Sequence, residues 1–306
     1  MRIAVTGATG FIGANLLKAL TRQSIEIKAL YRPKSAKHRP DLPGISWIKG
    51  TIHQDSALET LLNGTDVVIH CAGLIKAKSP KEFFHVNTLG TKNILEVMRK
   101  NKFSGTFIFV SSLAARNPQL SPYAKSKMEA ENLVKTMCPV PKAIIRPPAV
   151  YGPGDKEILP FFKAMEKGWV VIPAPKNNRF SLLHVNDLVD AILELTRCDS
   201  MLPEMPLELD DGTPNGYSWA EVIELFEKVK KKRVISITLP PFILKAAGIA
   251  GLTVAKILSR PVMITPWKVQ ELLHPDWVCK NHIKNHQLSW KPQVTLKIAL
   301  ENGLVG

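Results

Sequence analysis

Tyr123 and Lys127 stand four residues apart in Pro122-Tyr-Ala-Lys-Ser-Lys-Met. If that run is helical, both lie on one face. A free phenol, with a pKa of about 10, is a poor acid–base catalyst at neutral pH. An ammonium beside it favours the phenolate. Moving the pKa from about 10 to about 7 needs roughly 4 kcal/mol. One unit charge at ~4 Å and an effective dielectric of ~20 supplies about that much. Surface Tyr–Lys pairs of this spacing are also common and carry little energy, so a third group is needed. Ser111 and Ser112 end an apolar run, Thr106–Val110. A hydroxyl there can hold a substrate carbonyl or alkoxide oxygen, although turn and cap serines are the ordinary case. Together the three side chains could move a proton to or from an oxygen.

A second group of residues could hold an anion. Thr6-Gly7-Ala8-Thr9-Gly10-Phe11-Ile12-Gly13 follows Ile3-Ala4-Val5 and opens an amphipathic run through Leu20. That reads as strand, glycine turn, helix. Gly7 suits a tight turn, Gly10 a close approach to a bound group, and Gly13 helix packing on the sheet. The helix start would aim free N–H groups at a pyrophosphate. The spacing GxxGxxG is one residue longer than the dinucleotide fingerprint.

The elements that must position these residues alternate. Strands are expected at Ile25–Tyr31, Ile45–Ile48, Asp66–His70, Thr106–Ser111 and Ala143–Arg146. Helices are expected near Gly10–Gln23, Ser56–Leu62, Pro80–Lys100, Ser121–Met137 and Asn186–Thr196. This rhythm predicts an α/β, doubly wound parallel sheet of Rossmann type. Ligands bind such sheets at the carboxyl ends of the strands, where the candidate residues fall. From about Gly168 the prolines cluster and the rhythm weakens. The division expected is a discontinuous nucleotide-binding domain, residues 1–168 and 181–212, and a smaller mixed C-terminal substrate lobe, residues 169–180 and 213–306. Within that lobe Pro240–Leu258 is strongly apolar. A core helix is the first expectation, with a greasy substrate pocket or a membrane-surface contact as alternatives.

Composition narrows the class. Among 306 residues, Lys and Arg number 41 against 26 Asp and Glu, a net charge of +15. Such a surface attracts anions, phosphorylated cofactors included. The run Lys228–Arg233 has no interleaved aromatics and reads as a solvated helix end, so no nucleic-acid partner is expected. The four cysteines Cys71, Cys138, Cys198 and Cys279 are scattered, which predicts free thiols and no metal site. Strand and glycine turn begin at once, without a signal pattern, so a cytoplasmic location is expected. The apolar stretch Leu239–Ile264 is broken by Lys245, Lys256, Arg260 and three prolines and should not span a membrane. His184 reads as structural, with Asn186 or Asp187 starting a helix. His70 reads as a plug at the end of a buried strand.

Six motifs in order resemble the extended short-chain dehydrogenase/reductases, the epimerase/dehydratase superfamily. They are Thr6–Gly13, His70-Cys71-Ala72-Gly73, Val86–Asn93, Val110-Ser111-Ser112, Tyr123–Lys127 and Arg146–Gly154. Leu183-His184-Val185-Asn186-Asp187-Leu188 completes the pattern. The resemblance covers about residues 1–200. It implies that Tyr123 is the catalytic acid/base, that Lys127 binds ribose and tunes Tyr123, and that Ser112, rather than Ser111, orients the substrate oxygen. It also implies a cofactor lined by Gly7, Thr9, Gly10, Phe11 and Ile12 at the pyrophosphate. Cys71, Ala72 and Gly73 would lie near the ribose, Ile52 near the adenine, and Pro147 and Val150 near the nicotinamide. Asn87 resembles a helix asparagine that braces the neighbouring strand. A homodimer is implied as well.

Departures from the pattern point to a branch. Thr51 replaces the usual aspartate near the adenine. The sugar-nucleotide epimerases carry an arginine where Phe180 stands, with Arg179 one residue earlier, and an asparagine-containing strand end where Arg146-Pro147-Pro148 stands. Both changes resemble the dihydroflavonol reductase-like and hydroxysteroid dehydrogenase-like branches. The second strand ends Ala29-Leu30-Tyr31-Arg32-Pro33-Lys34. It has no carboxylate for the ribose hydroxyls of NAD, whereas Arg32 can grip a 2′-phosphate, so NADP is expected ahead of NAD. The expected activity is hydride transfer between nicotinamide and a carbonyl or hydroxyl carbon of an apolar small molecule. The rivals are a nucleotide-sugar epimerase or dehydratase with retained NAD and a non-catalytic, cofactor-bound scaffold or redox sensor.

Overall fold

The computed structural model of the chain describes residues 1–173, 175–198, 202–258, 262, 264–280 and 288–305, with backbone alone for 255–258. In chain order the first half forms β1 (Arg2–Thr6), α1 (Phe11–Leu20), β2 (Glu26–Tyr31), β3 (Ile45–Lys49), α2 (Asp55–Leu62), β4 (Val67–His70), α3 (Pro80–Phe83), α4 (Gly90–Lys100), β5 (Thr106–Val110), α5 (Pro122–Met137) and β6 (Lys142–Arg146). The second half adds β7 (Ala149–Tyr151), α6 (Leu159–Glu166), β8 (Trp169–Ile172), β9 (Arg179–Phe180), β10 (Leu182–His184), α7 (Val185–Leu195) and β11 (Leu207–Glu208). It closes with β12 (Tyr217–Ser218), α8 (Trp219–Lys230), β13 (Ile235–Thr238), α9 (Pro241–Leu258), α10 (Pro266–Leu273), β14 (Asp276–Trp277) and α11 (Leu296–Glu301).

Side-chain alternation along the strands explains the layers. Ile3 and Val5 of β1, Val67 and Ile69 of β4, and Ile108 and Val110 of β5 pack with α1 and α7. The residues between them, Ala4, Val68, Phe107 and Phe109, pack with α2, α4 and α5 on the opposite face. The seven strands run parallel in the order β11-β6-β5-β4-β1-β2-β3. This is a Rossmann-type sheet, and its order reverses between β1 and β4, where a crevice opens at the strand ends. The predicted helix over Pro80–Lys100 is one helical run interrupted by a π turn at Phe84–Leu89.

Three small sheets follow. β7 pairs with β10, β8 with β13, and β9 lies between β12 and β14. A third core joins Tyr151, Phe162, Val170, Phe226 and Leu296. The last segment returns to the large sheet, since Leu288 and Trp290 pack in the core with α1 and α7. Asp187 holds that segment by accepting the N–H groups of Gln293 and Val294. Helix α7 starts earlier than expected, because His184 is its N-cap. The Nδ1 of His184 accepts from the Asn186 N–H at 3.3 Å, and its Nε2 donates to the Leu304 carbonyl at 3.1 Å.

The core expectation for α9 holds for one stripe only. Leu244 is buried, and Gly248 and Gly251 bring the helix backbone against residues 264–266. Phe242, Ile243, Ile249 and Val254 are exposed. The side chains of Ile257 and Leu258, with Arg260 and Pro261, lie outside the described residues. No helix of the described residues is long and apolar enough to cross a membrane.

His70 is fully buried between β1 and α4. The Thr91 hydroxyl donates to the Asn87 carbonyl at 2.6 Å, so it accepts from His70 Nε2 at 3.0 Å. Nδ1 is therefore the acceptor for the Thr6 hydroxyl at 2.6 Å, and Thr6 Oγ1 in turn accepts the Ala72 N–H. Burial, with the Lys127 charge second, pulls the imidazole down to about 3. An unfolded histidine titrates near 6.5, so the unfolded chain binds the extra proton between these values. The stability that neutral His70 provides is complete above pH 6.5 and falls as the pH drops. Urea unfolding at pH 6.5 and pH 5 should show the His70→Asn variant losing about 1–2 kcal/mol less than the parent over that interval. Equal losses would show that His70 is not held neutral.

Candidate active site

The glycine turn occupies the switch point. Gly7 has φ +71°, and a β-carbon there would sit 2.6 Å from the Ala72 nitrogen and the Cys71 carbonyl carbon. Only glycine permits that approach of β1 to the end of β4. A β-carbon at Gly13 would fall 2.2 Å from the Gly7 carbonyl oxygen, so Gly13 packs on the turn itself rather than on the sheet. Helix α1 is capped by Gly10, has no side-chain cap and carries no acid in its first turn. Its N–H groups are thus free for an anion. Phe11 and Ile12 line the adjoining cavity, whereas Gly7, Thr9 and Gly10 form the turn beneath it.

That cavity, of about 540 Å³, runs from the glycine turn into the C-terminal lobe. Of the residues expected at the site, Phe11, Ile12, Cys71, Gly73, Ser112, Tyr123, Lys127, Pro147 and Val150 line it. Ala72 stands behind the wall with its N–H on Thr6. Arg32 is exposed at the end of β2, where Arg39 stacks its guanidinium 4.6 Å from the Tyr31 ring centre. The Ile52 side chain is buried in the core against Gly90 and is not among the residues that line this cavity.

Helix α5 carries the Tyr–Lys pair. Ser121 caps it by accepting the Ala124 N–H at 2.9 Å, and Pro122 takes the first helical position. Lys127 is buried one turn later. Its Nζ donates to the Val110 carbonyl at 2.8 Å and lies 4.4 Å from the Phe109 ring centre. A β-carbon at Gly73 would be 3.8 Å from that Nζ. Burial lowers the Lys127 pKa to about 8, against the opposing pull of Glu131 and Cys71.

Tyr123 departs from expectation. Burial holds its pKa above the ordinary value. The Ser112 hydroxyl beside the phenol opposes that shift, Glu271 adds to it, and the Lys268 cation opposes it. The charges that bear on Tyr123 are thus Glu271 first and Lys268 second, while the Lys127 ammonium is engaged by the Val110 carbonyl. Lys268 and Glu271 sit on α10 and pair at 3.0 Å. Glu271 also accepts from Ser121, the cap of α5. No local motif marked these two residues in the sequence; more than 140 positions separate them from Tyr123.

The two serines diverge. Ser111 donates to Glu131 at 2.6 Å, deep in a buried network. Glu131 grips Arg146 through bonds of 2.9 and 2.7 Å, Arg146 reaches Glu208, and Glu208 pairs with Arg116. Arg116 then donates to the carbonyls of Val278 and Asp276. Ser112 lies outside the network, accepts the Ala114 N–H and faces Tyr123. Asn87, in the π turn, clamps both polar groups of Leu74 and donates to Ser126 of α5 at 2.9 Å. Its brace therefore runs to the loop after β4 and to α5.

The parallel sheet, the glycine turn at its switch point and the polar set above the strand ends define a dinucleotide-binding α/β protein. The chain belongs to the NAD dependent epimerase/dehydratase family, whose model matches residues 3–203. It is 36% identical over 279 residues to a ceramide reductase of Caulobacter vibrioides, covering 90% of this chain and 85% of that one. It is 32% identical to a UDP-glucose 4-epimerase of Vibrio cholerae, covering 62% of this chain and 65% of the other. The fold matches the UDP-glucuronic acid 4-epimerase of Bacillus cereus, solved in complex with NAD, with a TM-score of 0.73 and 19% identity over 98% and 96% of the two chains. The chain is thus one of a superfamily of NAD-dependent enzymes with both reductase and epimerase relatives.

The buried network gives a stability test. Ser111→Ala leaves Glu131 short of one donor and should lower unfolding stability by about 1–3 kcal/mol, whereas Ser112→Ala should change it by about 0.5 kcal/mol or less. Denaturant titration of both variants checks this; equal costs would contradict the division of roles.

Proposed function

We propose that this chain is an NADP-preferring oxidoreductase acting on a carbonyl or hydroxyl carbon of an apolar, lipid-like small molecule. The observation that carries this is one continuous cavity. Ser112 and Tyr123 stand where its glycine-turn end meets a lobe walled by Phe161, Phe180, Trp219, Val262, Ile264 and Trp267. The cations lining the lobe portion are neutralised: Lys76 pairs with Glu157, Arg179 with Glu221 and Lys268 with Glu271. A sugar nucleotide would bring a second pyrophosphate to that wall, and these cations are already engaged. The identity to a protein named for ceramide reduction supports the same substrate class.

The residues fit a nicotinamide dinucleotide. The uncapped start of α1 suits its pyrophosphate, and the absent side chain at Gly73 leaves room beside Lys127 for a ribose. When bound, that cofactor supplies the hydride. The chain supplies the proton and the alignment. Ser112 holds the substrate oxygen while Tyr123 Oη gives it a proton. A phenol raised by burial is in its donor form at neutral pH. Lys127 orients the ribose. The aromatic wall excludes water from the reacting carbon.

Arg32 supports the NADP preference. It is exposed at the end of β2 with no ion-pair partner among the described residues, and β2 carries no terminal carboxylate. A 2′-phosphate there would meet a free guanidinium. Arg32→Ala should weaken NADPH binding by about tenfold or more and NADH binding by much less, measured by fluorescence titration. Equal losses for both would overturn the preference. Tyr123→Phe should abolish turnover of a long-chain ketone, a loss of about 100-fold or more, while cofactor affinity stays within about twofold. Turnover near the parent rate would remove the proton step from Tyr123.

A further inference from the structure

Two elements next to each other in the chain expose apolar side chains, and the proposed reaction uses neither. In the β8–β13 ribbon Ile235 pairs with Trp169 and Ile237 with Val171, so these residues share one face. Trp169, Ile235 and Ile237 on that face are 47%, 70% and 51% exposed. The chain leaves β13 through Leu239-Pro240 and enters α9 at Pro241. There Phe242 is 71%, Ile249 65% and Val254 43% exposed. The opposite stripe of α9, Leu244 with Gly248 and Gly251, is the one packed on residues 264–266. A helix apolar on both its packed and its outer face needs a second apolar neighbour.

The charge around this surface selects the neighbour. From Lys228 to Gln270 the sequence has nine Lys and Arg and no Asp or Glu. Lys228, Lys230, Lys231, Lys232, Arg233 and Lys245 of this stretch are exposed. A second copy would bring the same cations and the same net charge of +15 against them. An anionic partner with an apolar interior satisfies both features. We propose that α9 and the β8–β13 ribbon form a monotopic docking surface for an anionic phospholipid bilayer, with the apolar side chains inserted and the basic collar at the headgroups. The segment after α9 supplies Val262 and Ile264 to the cavity wall. The docked face therefore backs the chamber that would receive a lipid substrate. Only this last link rests on the proposed reaction, so vesicle binding and turnover can fail separately.

Flotation of the full chain with vesicles tests the proposal. Vesicles of equal parts phosphatidylcholine and phosphatidylglycerol should carry the protein to the top of the gradient, and pure phosphatidylcholine vesicles should carry little. Phe242→Asp and Ile249→Asp change exposed positions, so the thermal transition should be unmoved. Each should lower the vesicle-bound fraction by about tenfold. Lys245→Glu should lower it on the anionic vesicles by several-fold, and raised salt should do the same. Protein that stays at the bottom with anionic vesicles would overturn the proposal, as would binding unchanged in both aspartate variants. Sedimentation showing a dimer that Phe242→Asp dissociates, without vesicle binding, would assign the face to a second copy and equally overturn it.

Discussion

Residue 7 has no room for a β-carbon. The end of β4 lies 2.6 Å from where that carbon would be, and the backbone there turns at a positive φ. This close approach sets the width of the crevice between β1 and β4. Thr6, His70 and Thr91 hold it from below through a single buried chain of hydrogen bonds. With the crevice set, the start of α1 points its unsatisfied N–H groups at one end of the cavity, and the loop after β4 brings Gly73 above Lys127. Asn87 then fastens that loop to α5.

The second constraint is the buried line of charge from Ser111 through Glu131, Arg146 and Glu208 to Arg116. It crosses α5, β6, β11 and the segment that follows Ser112. Its last member donates to the backbone of β14 and Val278 in the lobe. Removing any partner would strand a buried charge, so the network specifies how the lobe seats over the sheet. Glu271 adds a second tie, from α10 to the cap of the helix that carries Tyr123. Glu271 and Lys268 thus form part of the electrostatic environment of Tyr123.

The Rossmann layers were legible because strand alternation and helical periodicity are local signals. The expected strands at Ile45–Ile48 and Ala143–Arg146 end within a residue of those observed. Ser112, Tyr123 and Lys127 were singled out from spacing and motif order, and all three line the one cavity. What escaped was set by distant partners. Lys268 and Glu271 act on Tyr123 from a segment without periodic pattern. Arg146 looked like a departure from a family pattern, and only folding revealed its carboxylates. The apolar run of α9 was visible, but hydrophobicity alone does not tell which face a neighbour covers. Ile52 was read as a cofactor contact, and its side chain packs in the core against Gly90.

The central claim is net hydride transfer to an apolar carbonyl followed by release of the oxidised cofactor. The direct test is incubation of the purified chain with NADPH deuterated at the transferred position and a long-chain ketone, followed by mass spectrometry of the product. The expected result is an alcohol with one deuterium on the carbinol carbon, formed in step with oxidised cofactor. A cofactor that stays bound and is returned to its starting state while a sugar nucleotide is isomerised would contradict the claim and identify an epimerase.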